Sequence, residues 1–317
     1  MPFVEGNVDV TIERQYDGVL LRTYLKSVLR ISTKMLSALK NDEEGIVVNG
    51  RRVTVRYVLK EGDRLSLMDR DRYAGHAIPS SIPVEILLED DDLVAINKPP
   101  AMPTHPSHGH LDDTLANALV YHYKMAGRPF VFRPVSRLDR DTSGVVLVAK
   151  HKIASGRLSE AMRERRIDKT YIAILCGRLP AREGRIEGYI CRTDGSLITR
   201  RVCSAEDAGA AYALTEYRVV AENERYTLVR AMPVTGRTHQ LRVHFSSLGC
   251  PMLGDGLYGE ESNLIARQAL HAETVVFPHP SSGARVCVTA PPPQDFCAAL
   301  RACFPDMAEE ILHSTEK

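Results

Sequence analysis

A loop of charged and turn-forming residues directly precedes a continuous apolar segment. Residues 137–144 are Arg-Leu-Asp-Arg-Asp-Thr-Ser-Gly, and residues 145–149 are Val-Val-Leu-Val-Ala. The apolar segment is typical of a strand buried on both faces, and loops at the mouth of such a strand often carry functional side chains. The charged side chains of this loop, Arg137 and Asp139 among them, are therefore candidates for a catalytic role. The alternative is a simple turn in which Arg137 and Asp139 form an exposed ion pair of little energetic consequence.

A second candidate functional residue, Arg242, lies in a predicted helix. Residues 235–249 predict a helix that begins near Thr238 and ends before Gly249. Three apolar residues fall on one helical stripe and are expected in the core: Leu241, Phe245 and Leu248. Arg242 lies at the edge of this stripe, which allows its guanidinium to reach a neighbouring site.

The elements that position these residues belong to the larger of two predicted domains, which begins after a Gly-, Pro- and Ser-containing linker at 70–82. Within it, residues 169–175 alternate as in a strand, with Tyr171 and Ala173 on one face. Tyr171 is either directed toward the 137–144 loop or an ordinary core tyrosine. The other predicted elements are strands at 84–88 and 93–97, helices at 113–124 and 154–166, and a mainly antiparallel sheet over 184–201 and 211–232.

The smaller domain precedes the linker. Residues 18–68 predict two helices followed by a small sheet, in which Asn49 and Gly50 form the turn of a hairpin. Its basic residues available to one side are Arg30, Lys34, Lys40, Arg51 and Arg52. This order of elements resembles the small RNA-binding domain shared by a ribosomal protein of the small subunit and many RNA-modifying enzymes. The alternative is a regulatory or dimerising module with solvated lysines and arginines.

Neither a metal site nor a nucleotide cofactor site is indicated. Three histidines, His105, His108 and His110, lie in a Pro- and Gly-broken loop without the convergent partners of a metal site. The seven cysteines are scattered and contain no Cys-x-x-Cys pair, so we expect buried thiols. Residues 254–259 have the glycine spacing of a dinucleotide-binding loop, but they do not follow an apolar strand.

The composition is that of an ordinary globular protein whose basic residues are unevenly distributed. Of the 317 residues, 44% are hydrophobic and 26% are charged, and the net charge is +1. Residues 137–201 nevertheless contain 15 Lys and Arg against 8 Asp and Glu, a distribution that suits either a phosphate backbone or a solvated helix surface. The first residues lack a basic start and a long apolar run, and no segment reaches the length of a membrane span, so we expect a cytoplasmic protein.

Several of these motifs together resemble the RluA family of pseudouridine synthases. The resemblance rests on the 137–144 loop, on Lys-Thr-Tyr at 169–171, on Gly-Arg-Thr-His-Gln-Leu-Arg-Val-His at 236–244 and on the Gly-Asp-x-x-Tyr-Gly turn at 254–259. The family pattern has His where this chain has Ser136. The resemblance implies an α+β fold: a mainly antiparallel mixed-sheet catalytic domain at 76–317 and a small N-terminal α/β RNA-binding domain at 1–75.

The resemblance also implies a cofactor-free isomerisation of uridine to pseudouridine in structured RNA. Asp139 would be the nucleophile, Arg242 would pair with it in a planar two-pronged arrangement, and Tyr171 would stack on the uracil. Arg137 would fill the space left by the extruded base. The remaining expected substrate contacts are Arg140, Thr142, His239 and Leu241. We expect a monomer acting on ribosomal RNA, with transfer RNA as the second choice of substrate, and the alternative function is that of a non-catalytic RNA-binding or ribosome-assembly protein.

Overall fold

The computed structural model describes residues 7–29, 31, 33–68, 77–107 and 109–314. The predicted domain boundary at 75–76 and most of the predicted linker therefore lie outside the described residues. The helices are α1 (Leu21–Ser27), α2 (Thr33–Asn41), α3 (Leu115–Met125), α4 (Lys152–Arg163), α5 (Gln240–Ser247), α6 (Gln294–Cys303) and α7 (Ala308–Ser314). The strands are β1 (Asn7–Thr11), β2 (Val47–Val48), β3 (Arg51–Arg52), β4 (Arg64–Met68), β5 (Glu85–Glu89), β6 (Leu93–Lys98), β7 (Arg133–Pro134), β8 (Ser143–Ala149), β9 (Asp168–Cys176), β10 (Glu183–Arg192), β11 (Arg200–Cys203), β12 (Ala211–Glu222), β13 (Tyr226–Pro233), β14 (Leu270–Pro278) and β15 (Arg285–Thr289). None of the helices in the described part of the chain is long and apolar enough to span a membrane.

The N-terminal part forms a separate small sheet with two helices. Its strands are all antiparallel, in the order β1-β4-β2-β3. Asn49 and Gly50 connect β2 to β3 with φ angles of 52° and 76°, the left-handed conformation that a two-residue hairpin turn requires. The predicted Asn-Gly hairpin is therefore present. The core of this unit also includes Ile153 from α4, so the small sheet and its helices pack against the larger part of the chain.

The remaining strands form one large, mixed sheet. Its main order is β11-β10-β12-β13-β9-β14-β8-β6-β5, with β7 and β15 paired to β8 and β14. Every pairing is antiparallel except that between β8 and β14. The mainly antiparallel α+β fold predicted from the sequence is confirmed.

Strand β9 lies near the middle of the sheet and buries its two faces against different helices. Ala173 and Tyr171 pack on the side covered by α5, together with Phe245. Ile172 and Ile174 pack on the opposite side with α6. The predicted alternation is therefore correct, and it places the Tyr171 ring on the face that carries α5.

The parallel junction between β8 and β14 requires a glycine. Gly144 has φ = 114° and is aligned with Ala272 across the junction. A Cβ atom on Gly144 would overlap the carbonyl oxygen of Ala272 and would also lie 2.7 Å from its backbone nitrogen. The glycine that ends the 137–144 loop therefore lets β8 and β14 approach each other five residues after Asp139.

We predict that Gly144→Ala lowers the free energy of unfolding by about 3 kcal/mol or more, because left-handed strain adds to a backbone overlap. Urea denaturation measures this change. The matched control is Gly156→Ala, since Gly156 is in helix α4 with open space around its Cα, and there the change should stabilise the protein by about 0.5–1 kcal/mol. Equal effects of the two substitutions would contradict the packing argument.

Candidate active site

Asp139 lies in a turn immediately before β8, where three other elements converge on it. The turn is closed by a hydrogen bond from the Thr142 backbone N–H to the Asp139 carbonyl, at 3.1 Å. The carboxylate oxygen Oδ2 is 3.6 Å from Arg242 Nη1 and 3.9 Å from His239 Nε2. The Asp139 side chain is 27% exposed, so it is open to a ligand while it faces these two groups. The structure thus brings together residues that are a hundred positions apart in the sequence.

Arg242 makes its two-pronged ion pair with Asp255 and not with Asp139. Its Nε and Nη2 each donate to the Asp255 carboxylate at 2.7 Å, while only Nη1 is directed toward Asp139. The expected two-pronged pairing with Asp139 is therefore wrong. The physical reason is that Asp255 is fully buried beside Arg242, and a buried carboxylate needs a close, hydrogen-bonded cation.

The Gly-Asp-x-x-Tyr-Gly turn builds the site for this ion pair. The Asp255 carboxylate also accepts hydrogen bonds from the backbone N–H groups of Leu257 and Tyr258 at 3.1 and 3.2 Å. The Arg242 guanidinium lies 5.0 Å from the centre of the Tyr258 ring, within range of a cation–π interaction. Burial alone would lower the pKa of Arg242, but hydrogen bonding to Asp255 and the charges of Asp255 and Asp139 raise it overall. The guanidinium is therefore held permanently charged next to Asp139.

Tyr171 extends from β9 toward the same carboxylate. Burial and the negative charge of Asp139 both raise the pKa of the Tyr171 hydroxyl, so it remains a protonated phenol. Its ring packs between the Leu241 cluster and the cluster that contains Leu138, which fixes the ring next to the Asp139 turn. The alternative of an ordinary core tyrosine describes its packing but not its proximity to Asp139.

A buried lysine supports the Asp139 turn from below. Lys98 is fully buried, and its Nζ donates to the carbonyls of Pro99, Met102 and Arg140 at 2.8–2.9 Å. Burial lowers its pKa to about 7, whereas the charges of Asp141 and Asp139 act in the opposite direction. Three carbonyl acceptors use all three N–H bonds of an ammonium group, so the protonated form is the one that holds the loop.

The C-terminal part of the sheet holds the other side of the same turn. Arg267 donates to the Asp141 carbonyl at 2.8 Å and forms a two-pronged pair with Asp295 of α6 at 2.6 and 3.0 Å. Gln268 donates to the Thr142 hydroxyl at 3.2 Å. Lys98, Arg267 and Asp255 were not among the residues predicted from the sequence to act in the site. Of these, only Asp255 had a local signal, since it is the acid of the turn motif at 254–259.

The remaining predicted substrate residues occupy different environments. Arg137 is exposed, and Arg140 is exposed while its guanidinium pairs with Asp141. Thr142 and Leu241 are buried, the first beneath the loop and the second in the core next to Phe245. A direct contact of either with substrate stays a prediction, and the structure gives both a supporting position.

The two described histidines of the 105–110 loop, His105 and His110, contact different residues. His105 packs edge-on against Phe132, and His110 pairs with Asp113 at 2.6 Å, while His108 lies outside the described residues. Within the described part of the chain, two groups bring ligand atoms close enough to hold a metal ion: Cys191, Cys203 and Asp207, and Asp90, Asp92 and His279. Neither includes the three histidines. The cysteines of the first group are far apart in sequence but lie on paired strands β10 and β11, which the sequence spacing did not indicate.

We predict that Asp255→Asn lowers the free energy of unfolding by about 3 kcal/mol or more and strongly reduces activity, because it leaves the Arg242 charge buried without its counterion. Urea denaturation and a turnover assay measure the two effects. The control is Glu216→Gln, which breaks an exposed ion pair with Arg185 and should change the free energy by less than about 1 kcal/mol. An Asp255→Asn protein as stable as its parent would show that the buried pair does not hold Arg242.

Comparison with known proteins identifies the family to which this chain belongs. Residues 92–247 match the family model described as RNA pseudouridylate synthase. A Bacillus subtilis relative named uncharacterized RNA pseudouridine synthase YhcT is 38% identical over 94% of this chain and 97% of its own length. The ribosomal large subunit pseudouridine synthase D of Zymomonas mobilis is 35% identical over 90% of this chain and 94% of its own. The solved structure of human RNA pseudouridylate synthase domain containing 1 has a TM-score of 0.57 and 27% identity, covering 74% of this chain and 95% of that one. The resemblance seen in the motifs is confirmed, and the chain belongs to the RNA pseudouridine synthase family, whose members isomerise uridine in RNA to pseudouridine.

Proposed function

We propose that this enzyme forms pseudouridine in large-subunit ribosomal RNA, with Asp139 as its nucleophile. The observation that carries the catalytic assignment is the convergence of Arg242 and His239 on one oxygen of Asp139. Both contacts involve Oδ2, and the Asp139 side chain is 27% exposed, so a uridine can approach the carboxylate. Ribosomal RNA is the substrate that fits the relatives named ribosomal large subunit pseudouridine synthase D, and it would place the enzyme in the cytoplasm.

The reaction is an isomerisation, so the site needs to supply no external group. The bond between N1 of uracil and C1′ of ribose breaks, the base turns, and a bond forms between C5 and C1′. The proton lost from C5 balances the proton gained at N1. Asp139 acts as the nucleophile in this exchange, and the fixed charge of Arg242 stabilises the carboxylate at 3.6 Å.

Tyr171 and Arg137 act on the base itself. The Tyr171 ring, fixed by its packing on β9, offers a face on which uracil can stack and a hydroxyl that remains protonated. Arg137 is exposed two residues before Asp139, where it can enter the space left when the uridine leaves its stack. These roles require a base that is flipped out of the RNA.

The small domain contributes a positively charged surface for RNA. Lys40, Arg51 and Arg52 are exposed, and the Arg52 guanidinium donates to the Lys40 carbonyl at 3.5 Å, so the end of α2 and the β2–β3 hairpin form one basic patch. Arg30 and the Lys34 side chain lie outside the described residues. Phosphate contacts of this kind fix the position of an RNA without reading its sequence.

We predict that Asp139→Asn abolishes pseudouridine formation while RNA affinity stays within a few fold, because the amide keeps the shape but is not a nucleophile. Tritium release from RNA labelled at C5 of uridine measures the reaction directly. The control is Asp141→Asn, which removes a carboxylate of the same loop that pairs with the exposed Arg140, and it should retain at least about a tenth of the activity. Parent-like turnover by Asp139→Asn would reject the assignment of the nucleophile.

The same assay tests the choice of RNA. Large-subunit ribosomal RNA should release tritium in the presence of the enzyme, and transfer RNA should not. Release from transfer RNA alone would reject the ribosomal substrate and leave the catalytic assignment intact.

We predict that Arg51→Ala with Arg52→Ala weakens RNA binding and reduces the slope of the logarithm of affinity against the logarithm of salt concentration by about 2, since each phosphate contact releases roughly one counterion. The single-turnover rate at saturating RNA should not change. The control is Arg285→Ala with Arg301→Ala, which removes the same total charge from exposed ion pairs of the larger domain. Equal loss of affinity in both double variants would mean that only net charge matters.

A further inference from the structure

A short chain of hydrogen bonds connects the edge strand β11 to His239, whose ring faces the nucleophile. The backbone N–H of Arg200 donates to the Tyr258 hydroxyl oxygen at 2.8 Å. That hydroxyl is 2.7 Å from His239 Nδ1, and His239 Nε2 is 3.9 Å from Asp139 Oδ2. The catalytic roles proposed above make no use of Tyr258 beyond its ring.

The direction of each bond in this chain follows from the groups involved. A backbone N–H can only donate, so the Tyr258 oxygen is an acceptor toward Arg200. The hydroxyl has one proton, and His239 Nδ1 is the hydrogen-bonding partner that the structure gives it among the described residues. Tyr258 therefore donates to Nδ1, and in neutral His239 the ring proton must be on Nε2.

The opposite tautomer would be unfavourable at both ends of the imidazole. With the proton on Nδ1, the Tyr258 oxygen would accept twice and its own proton would face no acceptor, at a half-buried site. The lone pair of Nε2 would then face the Asp139 carboxylate, which is a repulsive contact. Both effects favour the same tautomer.

Burial keeps His239 neutral, as the tautomer requires. The groups that face it are Asp139 before β8, Arg242 on α5, Arg200 on β11 and Asp255 in the turn after α5. Burial has the largest effect on the pKa of His239 and lowers it. Asp139 and Asp255 raise the pKa, Arg242 and Arg200 lower it, and the overall shift is downward. At neutral pH the ring is therefore uncharged and can donate from one nitrogen only.

We propose that Tyr258 is a positioning residue that fixes His239 as the Nε2–H tautomer, so that His239 directs a hydrogen-bond donor at Oδ2 of Asp139. Arg242 Nη1 approaches the same oxygen from α5. N–H groups at 3.6 and 3.9 Å from one oxygen favour one orientation of the carboxylate electrostatically and leave Oδ1 to react. The left-handed conformation of His239, with φ = 56°, is what directs its ring toward Tyr258 and Asp139 from the position preceding α5.

This proposal rests on the proposed role of Asp139, but its first test does not. Nitrogen-15 NMR of histidine-labelled enzyme identifies the protonated nitrogen of each neutral imidazole, and the signals of His239 are assigned by their loss in His239→Gln. We expect Nε2 protonated and Nδ1 unprotonated in the parent enzyme. In Tyr258→Phe we expect a measurably weaker preference, because only the Asp139 carboxylate then favours this tautomer. Nδ1 protonated in the parent enzyme would reject the proposal, whatever Asp139→Asn does to turnover.

Kinetics test whether the tautomer matters for the reaction. Tyr258→Phe should lower kcat by about three- to tenfold, the effect expected for one hydrogen bond, with KM nearly unchanged. In His239→Gln, whose amide has no tautomers, the additional change Tyr258→Phe should have no further effect. Full additivity of the two substitutions would show that Tyr258 acts by another route and would overturn the positioning role.

A buried hydroxyl elsewhere provides the matched control. Tyr123 of α3 donates to Glu89 at 2.9 Å. Tyr123→Phe therefore removes a buried tyrosine hydroxyl that is not among the hydrogen bonds from Arg200 to His239. It should leave both the His239 signals and kcat at the parent values. If Tyr123→Phe lowered kcat as much as Tyr258→Phe does, a general loss of stability would explain both, and the proposal would fail.

Discussion

The buried ion pair between Arg242 and Asp255 is the interaction on which the rest of the active site depends. Two charges taken out of water are costly, and the cost is offset only by close geometry and by hydrogen bonds to the remaining lone pairs. Here both conditions are met, because two guanidinium nitrogens contact Asp255 at 2.7 Å and two backbone N–H groups complete the carboxylate. The pair fixes the guanidinium plane, and its third nitrogen is thereby directed at Asp139. A cation held only by Asp139 would lose this orientation whenever substrate displaced it.

Gly254 allows the turn that carries Asp255 to pack closely against a neighbouring segment. Gly254 has φ = 74°, and a Cβ atom there would overlap the carbonyl oxygens of Ile265 and Arg267. The turn therefore lies directly against the segment that carries Arg267, and Arg267 in turn holds the carbonyl of Asp141. One charged network lies behind Arg242 and the other beneath the Asp139 loop. Close backbone contacts connect the two, including the hydrogen bond from the Ala269 N–H to the Leu253 carbonyl at 2.9 Å. A substitution in either network is therefore expected to shift the position of the Asp139 carboxylate.

The sequence predicted the elements of this site better than its ion pairs. The apolar run after Gly144, the alternation around Tyr171 and the helix that carries Arg242 are local patterns, and each is present in the structure. Leu248, predicted in the core, is instead exposed just after the end of that helix, where the helical spacing no longer applies. The choice of Asp255 over Asp139 as the two-pronged partner could not be predicted, because both carboxylates are compatible with the spacing and only the packing of the turn decides. Lys98 could not be predicted, because its partners are three backbone carbonyls. Every residue type has a backbone carbonyl, so the sequence does not show which ones a lysine will contact.

The small domain packs against helix α4 of the larger domain, so an experiment on its role in RNA binding must leave this packing intact. Ile153 of α4 is part of the small domain's core, and Arg157 of the same helix donates to the Leu29 carbonyl at 3.4 Å. Helix α4 follows β8, whose other end carries the Asp139 loop. Deleting the small domain would therefore expose apolar surface on α4, so lost activity after a deletion would not show that the domain binds RNA. Substitution of exposed charges such as Arg51 leaves this interface intact, because the β2–β3 hairpin is held by β4 and its basic side chains extend into solvent. An effect of those charges on affinity alone, without a change in the saturating rate, distinguishes RNA capture from structural support.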